Sequence, residues 1–383
     1  MSWPIPEIPE LKAVEPLRYW LWFIILLLIL VIGTFVYAFL KNTTDFVHAA
    51  IYSSFPSFLI WLMLFGVVLN RYEQYCMAAY AWEDASAETR FQWQQWSRKQ
   101  LAVVGNIILT PEPQGMASLL GDAKDIPVFP HKGRPLFSPT RDIQQLLDKI
   151  DQDLEKQCPG YRYFLRKVYI AESPAIDLRL YASRDFIQYQ GLISRKWKVR
   201  MEHIENRDEI DKLYDKETFD ELVMVIAFQL WPTKYDREAY SEFVSVQLFS
   251  SVKFASEKKL NILANMGRAL PSLPGEITKD LPILFEYNRI DKSSMRDLWV
   301  TGVTNNVLTE LAMYSHEHSL NFSWENPIHL IDHTFGPPGP LSVFLTPAML
   351  TEVVRLTNSD HIVINQLPEG NALLYLMTKE LHK

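Results

Sequence analysis

Cysteine is almost absent. Cys76 and Cys158 are the two in a chain of 383 residues, which excludes a disulfide scaffold and any zinc site built mainly of thiolates. Neither has a neighbouring Cys or His, so both read as bland free thiols. Glycine is scarce as well, with 14 residues, and no run of them follows an apolar strand as a nucleotide-binding loop demands. There is no G-x-S-x-G elbow to lift a serine nucleophile on a tight turn, and no H-E-x-x-H. Positive charge is in deficit, 38 Lys and Arg against 45 Asp and Glu for a formal net charge of -7, so the basic field that nucleic-acid binding requires is missing.

Charge is missing altogether from Tyr19 to Leu40, a run that at about 1.5 Å per residue reaches roughly 33 Å, enough to cross the hydrocarbon layer of a bilayer. Tyr19, Trp20, Trp22 and Tyr37 supply interfacial aromatics, and Arg18 and Lys41 bracket the run. It is too long for a signal peptide, and no Ala-x-Ala-like site follows it before Lys41. A second span, about Ala49 to Leu69, closes on Asn70 and Arg71 and carries Pro56 in its first half. Lys12 and Arg18 precede the first span and Arg71, Arg90, Arg98 and Lys99 follow the second, whereas the short connection offers only Lys41. This bias predicts a multi-pass membrane protein with both termini cytoplasmic. Neither span has an ionisable residue at its centre, so the hairpin reads as an anchor, with Gly33 and Gly66 as positions for close helix contact.

The remainder has the composition of a soluble α/β or α+β region with a mixed sheet. Three segments follow from the pattern: 1–72 as tail and transmembrane hairpin, 73–135 as juxtamembrane helix, strand-helix unit and linker, and 136–383 as the soluble domain or domains. Residues 72–100 are rich in helix formers and continue the second span. Strands are expected at 101–109, 163–170, 178–181, 222–231, 243–249 and 361–366, and helices near 140–158, 255–270 and 305–315. Leu341 to Leu345 reads as a further strand entering a helix at Thr346-Pro347, repeating the Leu109-Thr110-Pro111 junction, an echo that would fit internal duplication but also fits the plain value of Thr-Pro as a helix start.

His316, His318, His329 and His333 are the one cluster inviting a metal reading, but an H-x-H pair on a helix points to different faces, and surface or core histidines are common, so no metal, cofactor or catalytic group is assigned. Asp332 and Asp360 each stand beside a histidine, which does not by itself give hydrogen-bond geometry. Trp93 and Trp96, on the helix after the second span, and Phe335, Pro337 and Pro338 in the stiff Phe335-to-Pro340 loop are the candidate partner-binding residues, each with packing or a turn as the competing role.

The hairpin, the Trp93-x-x-Trp96-Ser-Arg-Lys segment leading into LAVVGNIILTPE, and HTFGPPGPLSVFLTPA from His333 to Ala348 resemble the type VI lipase adapter proteins, membrane-anchored proteins encoded in bacterial type VI secretion clusters. The resemblance implies a non-enzymatic adapter of the bacterial inner membrane that binds a lipase effector and assists its loading onto the secretion spike, so that effector, spike protein and bilayer would be its partners. An immunity protein for a neighbouring effector and an enzyme with an atypical site are the alternatives.

Overall fold

The computed structural model describes residues 3–6, 8–9, 14–112, 120, 128–129, 132–137, 143–172, 191–216, 219–231, 240–290, 295–318, 328–337, 339–367 and 370–380. The chain divides into two compact units, one of residues 6–92 and one of residues 1–5 with 93–383. The expected strand at 178–181, Pro338 and the start of the helix at Ser138-Pro139 lie outside the described residues.

In the first unit, α1 (Tyr19–Lys41) and the leading part of α2 (Phe46–Ser97) are long and apolar enough, by length and composition, to cross a membrane. The chain buries only 6% and 11% of the two apolar stretches, and Phe23, Leu28, Phe55 and Met63 stand more than half exposed. Such an apolar surface needs a cover that the described residues do not supply. The helices touch where Trp61 Nε1 donates to the Trp22 carbonyl at 2.9 Å and where a Cβ on Gly33 would collide with the Ser57 hydroxyl, while Gly66 has open space around it. Pro56 lies inside α2 without ending it, and α2 runs on to Ser97 as the helix formers of 72–100 predict.

Among the described residues, the second unit is a mixed sheet of eleven strands folded around an inner helical layer. Its first half contains β1 (Gln100–Leu109), α3 (Ile143–Gln157), α4 (Tyr161–Phe164), β2 (Leu165–Glu172), α5 (191–197), β3 (Arg200–His203), α6 (Asp208–Asp211) with a 3-10 turn at Lys212–Asp215, β4 (Leu222–Gln229) and β5 (Phe243–Ser251). After α7 (Val252–Glu257), the second half contains β6 (Ala264–Gly267), β7 (Leu270–Ser272), α8 (Ile277–Asn288), β8 (Met295–Thr301), α9 (Asn305–Glu317), β9 (Ile328–Leu330), α10 (Ile331–Phe335), α11 (Ser342–Thr357), β10 (Asp360–Gln366) and β11 (Ala372–Thr378).

The order β3-β2-β4-β5-β1-β6-β11-β10-β8-β9 reads as one pattern and its mirror. In each half three parallel strands lie outermost, the last strand runs antiparallel to them, and the first strand closes the half; β1 and β6 then pair antiparallel and join the halves. The molecule is therefore duplicated, but not through the repeated Leu-Thr-Pro. Thr110 follows a strand, whereas Thr346 and Pro347 lie inside α11, and Leu341–Leu345 is no strand. That apolar run belongs to a helix buried on all sides, from Ser342 to Thr351, so it carries no periodicity by which to recognise it. The helix expected at 255–270 is likewise corrected: α7 ends at Glu257, Lys259 takes a left-handed turn at φ 54, and two short strands follow. The boundary expected at 135 does not separate β1 from the rest, because β1 pairs with both β5 and β6 at the centre of the sheet.

Side chains alternate across the pleat. Leu298 and Val300 of β8, with Ile362 and Ile364 of β10, turn outward onto α8 and α9, and Val168, Met224 and Val246 turn outward onto α3 and α5. Val103, Tyr169, Val225, Trp299, Val363 and Tyr375 turn inward onto α6 and α11. Helix, sheet, helix, sheet and helix thus form successive layers. Gly105 sits at the β1 bulge, where a Cβ would come within 2.8 Å of Leu248 and 3.1 Å of Leu154, so glycine permits this close approach of α3 and β5.

Candidate functional site

Open parallel sheets take ligands beyond the carboxyl ends of their strands. Here the ends of β4 and β10 are filled. Gln229, at the end of β4, accepts from Leu341 N at 3.1 Å and donates to the Ser241 carbonyl at 2.8 Å. Asn365, near the end of β10, donates to Thr346 Oγ1 at 3.1 Å and meets Ser342 Oγ at 3.3 Å. The Phe335-to-Pro340 loop lies between them: Ser241 Oγ donates to the Phe335 carbonyl at 2.9 Å, and Ser241 N donates to the Pro337 carbonyl at 2.8 Å. Gly336 has φ 87, and a Cβ there would strike the Lys132 carbonyl and the Ser241 hydroxyl. Phe335 is buried at 3% exposure. Phe335 and Pro337 therefore hold the loop in the core, and a partner cannot reach Phe335 as a surface anchor.

Trp96 is also engaged within its own unit. The Arg268 guanidinium lies 3.8 Å over its ring, Trp3 and Trp93 meet it edge-on at 5.7 and 5.1 Å, and Trp3 Nε1 donates to the Ala269 carbonyl. Both Trp93 and Trp96 are half-buried.

The four histidines do not converge. His316 and His318 are exposed at the end of α9, where His318 stacks on Tyr314 at 4.1 Å, and His333 is exposed on α10. Among the described residues no group of three His, Cys, Asp or Glu is arranged to hold a metal ion. His329 has a different setting. On β9 its ring stacks on Trp299 at 4.1 Å, and Nε2 stands 3.7 Å from Asp297 Oδ1. The other oxygen of Asp297 is 3.6 Å from Nδ1 of His361, which is fully buried on β10. Parallel pairing produces this cluster, since Asp297 stands opposite His361 and Trp299 opposite His329, all on the inward face. His361 Nε2 lies 2.9 Å from Thr357 Oγ1, whose single proton goes to the Val353 carbonyl at 2.8 Å. Nε2 is then the donor, and Nδ1 faces the carboxylate.

Asp297 is the residue that sequence reading misses. The carboxylates adjacent to histidines do other work: Asp360 accepts from Lys379 N at 2.8 Å, and Asp332 accepts from Thr301 Oγ1 at 2.6 Å and Gly302 N at 2.7 Å. Burial, against those hydrogen bonds, holds the Asp332 carboxyl above the ordinary range. Only the pairing of β8 with β10 exposes the relation between Asp297 and His361.

Neither cysteine belongs to this site. Burial, with a contribution from Glu155, pushes the Cys158 thiol up to about 11, and it sits in the outer layer against α3, away from the inward face. Cys76 lies on α2, in the other unit.

The duplicated architecture has counterparts among solved structures. One is the AntDE:AntF complex, a type II PKS acyl-carrier protein with its ketosynthase bound to the hexaketide, matched over 74% of this chain and 100% of that one at 9% identity and TM-score 0.52. The fold is shared with ketosynthases. A Streptomyces albus JA3453 oxazolomycin ketosynthase domain matches over 74% of this chain and 96% of that one, at 11% identity and TM-score 0.50. The expectation of a non-enzymatic adapter is corrected by this likeness, since the fold is the one found in ketosynthases. No family model and no curated protein matches the chain.

Proposed function

We propose that the chain is a membrane-associated enzyme of ketosynthase-like architecture acting on acyl substrates, with Asp297, His329 and His361 as its acid-base group. Fold alone assigns no chemistry. The observation that carries the reading is the carboxylate placed between two imidazoles, at 3.7 and 3.6 Å, on the inward face of the second half-sheet. His329 keeps 13% of its side chain accessible and is the member a substrate can reach, whereas Asp297 and His361 are closed off behind it. In this role His329 takes a proton from the group that attacks an acyl carbonyl, and Asp297 orients the imidazole. His361, pinned by Thr357, closes off the buried side of the carboxylate. With Cys158 buried as a thiol in the outer layer, a cysteine-bound acyl intermediate is not part of this reading. The uncovered apolar surface of α1 and α2 supports insertion of both helices as a hairpin, and the positions of Arg71, Arg90, Arg98 and Lys99 support cytoplasmic termini.

The test is turnover of acyl esters and acyl thioesters of graded chain length by full-length protein in a neutral detergent. Wild type should release product, and His329→Gln should lower kcat at least 100-fold with an unchanged melting temperature. No turnover of any chain length, or equal turnover by the variant, would remove the enzymatic reading.

A further inference from the structure

A cavity of about 410 Å³ opens where four elements of the second unit meet. Arg98 and Lys99 follow the last residue of α2, Leu101 lies near the start of β1, Tyr214 and Lys216 come from the 3-10 turn and the residue after it, and Phe219 precedes β4. The lining has two characters. Leu101, Tyr214 and Phe219 give an apolar wall, with the Lys216 ammonium 5.7 Å from the Phe219 ring, and three cations stand over it.

Those cations belong to a larger concentration of positive charge. Arg98 is close enough to Arg289 that burial first, and then this like charge, lower its pKa from the ordinary value. Arg268 pairs with Asp215 at 2.7 Å, Lys99 adds to the field on the same Asp215, and Lys216 lies 3.7 Å from Glu221. Five cations thus face three carboxylates among the described residues that interact with them, Asp211, Asp215 and Glu221, in a chain whose formal net charge is -7. Uncompensated cations held near one another are unfavourable by themselves and favour an anion between them. A cavity of this size accommodates a charged head and a short length of chain.

We propose that this cavity binds a phosphate-bearing acyl ligand, its phosphate between Arg98, Lys99 and Lys216 and its chain against Leu101, Tyr214 and Phe219. Arginine and lysine serve the two parts of such a head differently, the guanidinium as a planar fork and each ammonium as a point charge. The site is independent of the acid-base reading, since none of its residues belongs to the Asp297 cluster. Two sources carry this chemistry, a membrane phospholipid and a soluble acyl group on a phosphopantetheine arm.

The experiment uses full-length protein in a neutral maltoside detergent, titrated with dodecanoyl coenzyme A in one arm and with short-chain phosphatidylglycerol in the other, with short-chain phosphatidylcholine for comparison. At least one phosphate ligand should bind with an affinity that falls as salt rises. Combined Arg98→Gln, Lys99→Gln and Lys216→Gln should weaken it at least tenfold, while Lys212→Gln with Lys253→Gln leaves it unchanged. Binding of the coenzyme ester alone identifies the soluble source, and binding of phosphatidylglycerol alone identifies the lipid. The exposed Lys99→Glu variant covers misfolding of the triple variant and should weaken binding at least threefold with an unchanged melting temperature. Absence of binding in both arms, or equal binding by wild type and the folded variants, overturns the proposal.

Discussion

Asn106 is a single amide that ties three layers together. Its Nδ2 donates to the Ala348 carbonyl and to Glu352 Oε1, both at 3.0 Å, so the side chain of a central strand holds the middle of α11. Its backbone N–H donates to Gln157 Oε1 at 2.7 Å, and its carbonyl accepts from Gln157 Nε2 at 2.8 Å, which attaches the outer helix α3. Removing a buried donor leaves its acceptors dry and unmatched. Asn106→Ala should therefore cost about 1–3 kcal/mol of unfolding free energy, a loss typical of a buried hydrogen bond. Urea unfolding of wild type and variant, with the denaturant slope unchanged, checks it.

Asp151 provides the pH-sensitive counterpart on the outer layer. Burial raises its pKa, but hydrogen bonds from Arg162 and Tyr161 and the charges of Arg162 and Lys196 outweigh this and hold the carboxyl below its ordinary value. A carboxylate with a depressed native pKa adds stability above its unfolded value and loses it as pH falls through the native one. Wild type should thus lose stability relative to Asp151→Asn as pH is lowered from neutrality through the ordinary carboxylate range and below. Melting temperatures of both proteins across that window measure the difference. A constant gap between the two curves would show that Asp151 acts through packing alone.

At the scale of elements, the strand at 222–229 was readable as a nearly continuous apolar run of strand length, and those at 100–109 and 243–251 as short runs rich in apolar and β-branched residues, all three buried on both faces. The same logic misassigned α11. A helix enclosed between two half-sheets loses its polar face, and Pro347 within it supplies a signal that normally argues for a helix boundary. Packing on all sides of the helix offsets the bond that Pro347 cannot make, and within it Thr346 Oγ1 donates to the Ser342 carbonyl at 2.9 Å and Thr351 Oγ1 to the Pro347 carbonyl at 2.8 Å. His329 was visible as a residue type, but its partner was not, since β8 and β9 come together only through tertiary pairing. The pattern of α1 and α2 was readable from composition alone, and its use can be tested. Arginine near the middle of a span costs about 2.5–3.5 kcal/mol of insertion. Leu28→Arg combined with Met63→Arg should move the protein from the carbonate-resistant membrane fraction into the soluble or aggregated fraction. Retention in that fraction would mean that some other surface covers the exposed apolar residues.

On the scale of the whole molecule, duplication gives two half-sheets the same order while leaving their inner helices unequal. The first half contributes the short α6 and a 3-10 turn, and the second contributes α11, which contacts strands of both halves. One long helix thereby serves two sheets, and the Asn106, Ser245 and Gln247 side chains of the first half bond to it as Asn365 of the second half does.

The position of β1 has a consequence for how the chain is made. It is the first strand to leave the ribosome, directly after α2, yet its partners β5 and β6 follow much later in the sequence. Between those events β1 is an apolar edge with no neighbour, the kind of segment that seeks other strands. During synthesis the apolar helices have already emerged, whereas the seam between the halves closes only after residues 264–267 have appeared. Ribosome-bound chains ending before β6 should carry this open seam, and they are the species for which a chaperone or an engaged insertion channel matters most.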